Sequence, residues 1–505
     1  MPIWPITGIP SWLTKAKKKF NEIPSIDSKN IKLLRINNVY FMYSIVTGIF
    51  FELDNPTYQI FTEMKNRNTN LQRTIDSFQG IFSHYPLGEI YEEIKCLYDA
   101  NVFENFYNEH RPGKGLTTLN LNISNDCNLA CKYCFFYSNP PPENEPTMMD
   151  FETAKLAIDY LLQNSSDSTE RLNIIFFGGE PLLNFQLIEK CLDYLKSIEI
   201  PKGKEVLCDI FTNGTLLTNR IIEFVAQNKI RLILSIDGPK EINDKLRPFK
   251  HKSGSSFDTI IRNVNKILTL NGKNILIRTT LTKNNISMVD IVQNLSNKGF
   301  KNFVFDIAFS VENNFFDNDE EFKLFIEKLN NLASNFKRFI QQGIKVNVLS
   351  EPIARILKPD NVPPNLLYST CPAGRNFIVV TPGGNIYPCH YFVNIPQWKV
   401  GSIYHPIRLR SMIDENQIID LNIGRVCSDC WLRGHLCGGP CPFKILQNSS
   451  TENIENLDVT GTVHCKKEEA KYIVSLSVLK ELYPIMNYPF VRQWERFLKY
   501  VSSNH

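Results

Sequence analysis

The stretch SNDCNLACKYC puts Cys127, Cys131 and Cys134 within eight residues, directly after TLNLNIS (118–124), which reads as a strand. In a long chain of this kind the spacing Cys-x3-Cys-x2-Cys points to metal or cluster ligation rather than to disulfides. A structural zinc site normally takes four protein ligands. Three thiolates with no local fourth leave one metal position open. They can hold three irons of a cubane and leave the fourth iron without a protein ligand, free to take a chelating small molecule. The contacts of that molecule are then expected at the ends of the neighbouring strands.

From about residue 117 to 345 strand and helix patterns alternate. LNIIFF (172–177) is a continuous apolar run, as expected of a buried parallel strand. VLCDIFT, RLILSI, ILIRTTLT and NFVFDIAF are further strands, and a helix is expected from about Phe151 to Leu162. Six such units fit a partial β/α barrel, in which chemistry gathers at the C-terminal strand ends.

Those ends carry the expected signals. After the second strand come Gly178, Gly179, Glu180 and Pro181; the glycines allow close backbone approach, and Glu180 is suited to an ammonium group. TNGT follows the third strand with Asn213. SIDGP follows the fourth, with Ser235 and Asp237 suited to ribose hydroxyls, and Arg247 lies ten residues further on, suited to a carboxylate. Taken singly, each has a bland reading as a turn or a strand end. Four in succession do not.

On these residues the chain resembles radical S-adenosylmethionine (SAM) enzymes. Cys127, Cys131 and Cys134 match that family's cluster motif, and Gly178 to Pro181 its methionine-binding motif. Tyr133 matches the position whose backbone lies near adenine. The resemblance implies a 4Fe–4S cluster chelated by SAM, reductive cleavage of SAM to a 5′-deoxyadenosyl radical, and hydrogen abstraction from a substrate, with the protein positioning the cofactor and excluding water.

Residues from about 346 to 470 lose the alternation and are rich in Cys, Gly and Pro, which suits a domain organised around metals. Cys371, Gly384 and Cys389 are followed by Cys427-x2-Cys430-x6-Cys437-x3-Cys441 and by Cys465. This resembles the SPASM domain, with one residue more than usual between Cys430 and Cys437. The resemblance implies two auxiliary clusters, one held by Cys427, Cys430, Cys437 and Cys465, the other by Cys371, Cys389 and Cys441 with one iron open, and so three 4Fe–4S clusters in all. Structural zinc is the alternative. Cys96, Cys191 and Cys208, alone in apolar surroundings, read as core residues.

Ahead of the barrel, NNVYFMYSIVTGIFFELDNP reads as two strands around a turn at Gly48, with a helix starting at Asn55 and Pro56 and two more near 70–83 and 88–99. The hairpin and three helices resemble the winged-helix recognition elements of peptide maturases, which imply a leader peptide added as a strand to a sheet edge. The expected layout is a recognition module over 1–112, the barrel over 113–345, the cluster domain over 346–470 and C-terminal helices over 471–505. Anaerobic sulfatase maturases are also similar around IYPCHYF, but they carry Asp directly after the cysteine that matches Cys389. Here that residue is His390, the one catalytic candidate. The functional expectation is a maturase forming a thioether from cysteine sulfur to carbon in a ribosomally made precursor peptide, as sactipeptide and ranthipeptide maturases do. Carbon–carbon or carbon–oxygen cross-linking and sulfatase maturation are the enzyme alternatives. An iron–sulfur electron-transfer protein is the non-enzyme one, though an electron carrier needs no nucleoside pocket. The implied partners are the precursor peptide and a low-potential donor such as ferredoxin or flavodoxin.

The 56 Lys and Arg against 52 Asp and Glu, net +4, make no case for nucleic acid. No apolar run of 18 residues suggests a membrane span, and the N-terminus has its charges after its apolar residues, the reverse of a secretory signal, so a cytoplasmic protein is expected.

Overall fold

The computed structural model describes residues 3–5, 24, 27, 30–36, 38–99, 102–103, 115–138, 140–165, 169–269, 275–308, 319–357, 371–405, 430–432, 436–437, 441, 443 and 463–482. Its centre is a run of six parallel strands in sequence order: β5 (Thr118–Ser124), β6 (Arg171–Gly178), β7 (Glu205–Thr212), β8 (Arg231–Ser235), β9 (Ile275–Leu281) and β10 (Asn302–Ile307). The crossovers carry α5 (Phe151–Gln163), α6 (Phe185–Ser197), α7 (Asn219–Gln227), α8 (Lys240–Leu246), α9 (Ser256–Thr269) and α10 (Met288–Ser296). This is the expected partial (β/α)6 barrel. α5 starts one residue after Asp150, whose carboxylate accepts from Thr153 N at 2.8 Å, and α7 is capped in the same way by Thr218.

The strands have two unlike faces. Leu119, Leu121 and Ile123 of β5, Leu172, Ile174 and Phe176 of β6, and Ile275 and Ile277 of β9 belong to one core shared with the helices. The residues between them include Asn120, Asn122, Asn173 and Asp209, so the other face, towards the barrel interior, is polar at its base. Asp209 is held there by Arg231, with Arg231 Nε donating to Oδ1 at 2.8 Å, and by Asn173.

The sheet does not stop at β5. β12 (Phe377–Val380) pairs with it in parallel, from Thr118 opposite Phe377 to Leu121 opposite Val380, and β13 (Asn385–Tyr387) and β14 (Gly401–Ser402) continue it antiparallel. At the far edge β11 (Lys345–Val346) follows β10. Two helices close the barrel's side: α11 (Asp319–Gln341) and α12 (Asn347–Leu357) both pack on α13 (Val463–Leu482).

A second sheet is formed by β2 (Ile31–Ile36), β3 (Val39–Ser44) and β4 (Phe50–Leu53), all antiparallel, with β1 (Ile3–Pro5) parallel to β4. The hairpin around Gly48 (φ 74°) forms as expected, and β2 and β1 are additions to it. α1 (Asn55–Arg67) starts as expected with Pro56 in its first turn and Asp54 as cap; α2 (Leu71–Phe78) and α3 (Leu87–Asp99) follow. Met42, Phe51 and Leu53 face these helices, whereas Phe41, Tyr43 and Phe50 join the core of the main body. Both faces are thus buried, which accounts for the unbroken apolar run VYFMYS. Cys191 and Cys208 are buried as expected, but Cys96 is exposed on α3. Its neighbours Ile94 and Leu97 take the buried stripe and leave position 96 outside. Among the described residues no helix is long and apolar enough to cross a membrane.

Candidate active site

The loop after β5 is shaped by main-chain bonds to the segment after α8. Ala130 N donates to Pro248 O at 2.8 Å, Lys132 N to Leu246 O at 3.0 Å, and Lys250 N to Asn128 O at 3.0 Å. Asp126 accepts from Cys127 N at 2.8 Å and from Lys250 Nζ at 3.0 Å. The loop therefore presents Cys127, Cys131 and Cys134 to a single cavity of about 310 Å³, in the range of ligand sites. Burial, then the nearby carboxylate of Glu180, pushes the Cys127 thiol up to about 12. Burial does the same for Cys131, against the pull of Arg247, whose Nη1 lies 3.8 Å from its sulfur. Such thiols keep their protons until a metal displaces them. Among the described residues no three His, Cys, Asp or Glu side chains converge on one ion. The donor set fits a cluster, whose corners are spread, and soft sulfur suits iron.

The strand ends meet this loop closely. Gly178 takes φ 125°, and a Cβ there would stand 2.2 Å from Ser124 O. A Cβ on Gly179 would stand 2.3 Å from Asp126 O. Both line the cavity, yet what approaches them most closely is the end of β5, not only a ligand. Glu180 is held by the protein itself. It is fully buried, and its oxygens are taken by Thr212 Oγ1 (2.6 Å), Leu182 N (3.0 Å) and Asn213 N (2.8 Å). It acts as a strut tying β6 to β7, with burial pushing its carboxyl up to about 7. Pro181 opens the short helical turn behind it, also buried.

Asp237 is likewise buried. It accepts from Arg247 Nε at 2.9 Å and Nη2 at 3.1 Å, from Thr280 N at 3.1 Å, and from the Tyr133 hydroxyl. Tyr133, Arg247, Ser235 and Asn213 do line the cavity, and the Asn213 amide donates to Asn128 at 2.9 Å.

The opposite wall is aromatic: Phe135, Phe136, Phe177, Phe211 and Tyr391. Two charges stand among them, Arg278 and Asp306, joined Nε to Oδ2 at 2.6 Å. Burial alone would raise the Asp306 carboxyl, but Arg278 beside it wins and holds it below the usual range. Sequence reasoning missed this wall. Its signal was one Arg in ILIRTTL and one Asp in NFVFDI, lone charges in otherwise uncharged barrel strands.

Beyond the wall, Cys371, Cys389 and Cys441 lie within electrostatic reach of one another. Cys389 and Cys441 pack on a small core of Val379, Tyr387, Phe392 and Phe443. Gly384, in the turn before Cys389, takes φ 77°, and a Cβ there would collide with the Tyr404 ring at 2.6 Å. His390 is packed between Phe135 (5.6 Å) and Phe177 (5.8 Å), and burial, then Arg278, pushes it down to about 3. Cys430 and Cys437 pack against the main core, and Cys465 opens α13. Cys427 lies outside the described residues.

Residues 121–307 match the radical SAM superfamily. The chain is 43% identical over 146 residues to an uncharacterised protein of Methanocaldococcus jannaschii, covering 29% of this chain and less than half, 47%, of that one. It is 25% identical over 450 residues, 80% of this chain and 86% of the other, to the radical SAM cyclopropyl synthase TigE of Paramaledivibacter caminithermalis. It is 27% identical over 300 residues, 57% and 77% of the two chains, to the cysteine-type anaerobic sulfatase-maturating enzyme of Clostridium novyi. Among solved structures, anSMEcpe with bound AdoMet superposes with a TM-score of 0.58 at 21% identity, covering 73% of this chain and 99% of that one, which is a likeness of fold.

Proposed function

Because residues 121–307 match the radical SAM superfamily, we propose that this chain is a radical SAM peptide maturase that forms a thioether between a cysteine sulfur and a carbon of a ribosomally made precursor. The observation that carries the proposal is the single cavity shared by Cys127, Cys131, Cys134 and the β6 to β8 strand ends. SAM and its cluster, when bound there, supply the one-electron chemistry that removes hydrogen from the peptide. The chain's own residues do the rest. The three thiols give up their protons to become cluster ligands, and the fixed cation of Arg247 beside Cys131 favours the thiolate. Asp237 and Tyr133 hold that cation in place. Gly178 and Gly179 keep the floor tight, and the rings of Phe135, Phe177 and Phe211 exclude water.

The thioether reading is supported by Cys371, Cys389 and Cys441. No fourth cysteine joins them among the described residues, which leaves room for a substrate thiolate. Cys427, Cys430, Cys437 and Cys465 are proposed to hold the second auxiliary cluster. The four-stranded N-terminal sheet is proposed to bind the leader. With both of its faces buried, a peptide reaches it along an edge.

A second reading, carbon–carbon bond formation, is favoured by a relative that matches 80% of the chain, whose name is cyclopropyl synthase. Sulfatase maturation is disfavoured by His390, which is neutral and enclosed where those enzymes have Asp. The test is tandem mass spectrometry of a candidate cysteine-containing precursor peptide incubated with the reduced chain and SAM. A two-hydrogen loss mapping to cysteine, absent when its core cysteines are Ser, is expected. A loss that persists in the Ser peptide replaces the thioether with a carbon–carbon or carbon–oxygen bond.

A further inference from the structure

The aromatic half of the cavity is built from Phe135 and Phe136, which follow Cys134, from Phe177 and Phe211 at the ends of β6 and β7, and from Tyr391. We propose that it is a subsite for an apolar side chain of the peptide substrate, an inference that rests on the peptide-maturase reading.

The rings form one continuous surface. Phe136 and Phe177 are 6.1 Å apart, Phe177 and Phe211 5.3 Å, and Phe135 and Tyr391 5.3 Å. All five are only partly buried although they sit inside the barrel mouth, so they turn their remaining area to the cavity. Uncovered apolar area of this extent in a concave site gains by being covered.

The charges in the wall do not contradict this. Arg278 and Asp306 are bonded to each other, and the Arg278 guanidinium also lies over the Phe211 ring at 5.5 Å. The two opposite charges balance each other, with Arg278 Nε and Asp306 Oδ2 committed to one another. A charged substrate side chain entering here would lose its water and meet a balanced pair rather than a single opposite charge. An apolar one loses nothing and covers the rings.

The same wall shares its cavity with Cys127, Gly179 and Arg247, so a side chain seated on it lies beside the cofactor's place. The wall thereby selects the chemical class of the peptide residue offered to the reaction, an aliphatic or aromatic one.

The test uses the anaerobically purified full chain with SAM present and three capped tripeptides, acetyl-Gly-Leu-Gly-amide and its Glu and Lys counterparts, with binding read by saturation-transfer NMR. The Leu peptide is expected to bind at least about fivefold more tightly than either charged one, and Phe211→Ala to weaken it by about the same factor. Arg278→Gln frees Asp306 and should raise the affinity of the Lys peptide about fivefold, a gain that a misfolded variant would not show. Three results overturn the subsite: equal or no binding of the Leu peptide at millimolar concentration, a folded Phe211→Ala chain that binds it unchanged, or Arg278→Gln without gain for Lys. Formation of 5′-deoxyadenosine is scored separately in the wild-type chain. Its absence would sink the proposed reaction, while the peptide ranking still decides the subsite.

Discussion

Arg247 and Asp237 meet through two hydrogen bonds, Nε to Oδ2 at 2.9 Å and Nη2 to Oδ1 at 3.1 Å, with their side chains 8% and 0% exposed. The carboxylate also receives Tyr133 and the main chain of β9, so one buried anion joins the cysteine loop, the segment after α8 and the barrel wall. Removing it leaves a buried guanidinium uncompensated. Asp237→Ala should lower stability by about 3–5 kcal/mol, and Arg247→Lys, which keeps the charge and loses the fork, by about 1–3 kcal/mol. Chemical denaturation checks both, and an Asp237→Ala chain as stable as wild type would refute the account.

Gly179→Ala forces a methyl to 2.3 Å from Asp126 O and 3.2 Å from the Cys127 Cβ. The cysteine loop has to move, at about 1–3 kcal/mol. The expected signs are a lower melting temperature and less iron retained after anaerobic purification. Gly80→Ala, where nothing lies within 4 Å, serves as the neutral control.

Replacing Cys127, Cys131 and Cys134 together with Ala should remove about four of the roughly twelve irons expected from three cubanes, and abolish 5′-deoxyadenosine formation. Iron analysis and the charge-transfer absorption report the first, chromatography the second. Stoichiometric zinc with little iron in the wild-type chain would refute the cluster assignment.

Much of this was legible in the sequence because the barrel's signals are local. TLNLNIS is β5 residue for residue, and the helix expected from Phe151 runs one residue past Leu162. The cysteine spacing and the strand-end motifs located the cavity. The protein partners of Glu180 and Asp237 were not legible. An acidic residue at a strand end looks the same whichever donors surround it, and Thr212 and Asn213 lie more than thirty residues from Glu180, while Arg247, ten residues from Asp237, meets it only because α8 folds back. Likewise β12 could not be assigned to the barrel sheet, since its partner β5 is more than 250 residues earlier and strand pairing leaves no local trace.

Glu145 makes three bonds to the turn between β12 and β13: from Thr381 Oγ1 at 2.5 Å, Gly383 N at 2.8 Å and Asn385 Nδ2 at 2.9 Å. Glu145→Ala strands those donors in a partly buried site, at about 1–3 kcal/mol. Hydrogen exchange of residues 377–387 should quicken, and unchanged exchange there would show that the clasp carries no stability.

The face of β3 that carries Phe41 and Tyr43 packs into the main core, with the Tyr43 ring 5.8 Å from Trp431. Phe41→Ala should therefore cost about 3–5 kcal/mol and lower the melting temperature of the whole chain, not only of its N-terminal part. A separate low-temperature transition confined to the N-terminal part would contradict this.

The pairing of β12 with β5 has a consequence for distance. Two sulfur groups carried on domains joined by a flexible tether would sample a range of separations, and the rate of electron passage between them would vary with that range. Here Cys371 and Cys389 flank a hairpin whose first strand lies hydrogen-bonded against the strand that delivers Cys127. The two groups of cysteines are thereby tied into one sheet, whose neighbouring strands lie about 4.8 Å apart. Lengthening or shortening surface loops leaves that pairing untouched, so the two groups of cysteines keep their relative placement while the rest of the surface varies.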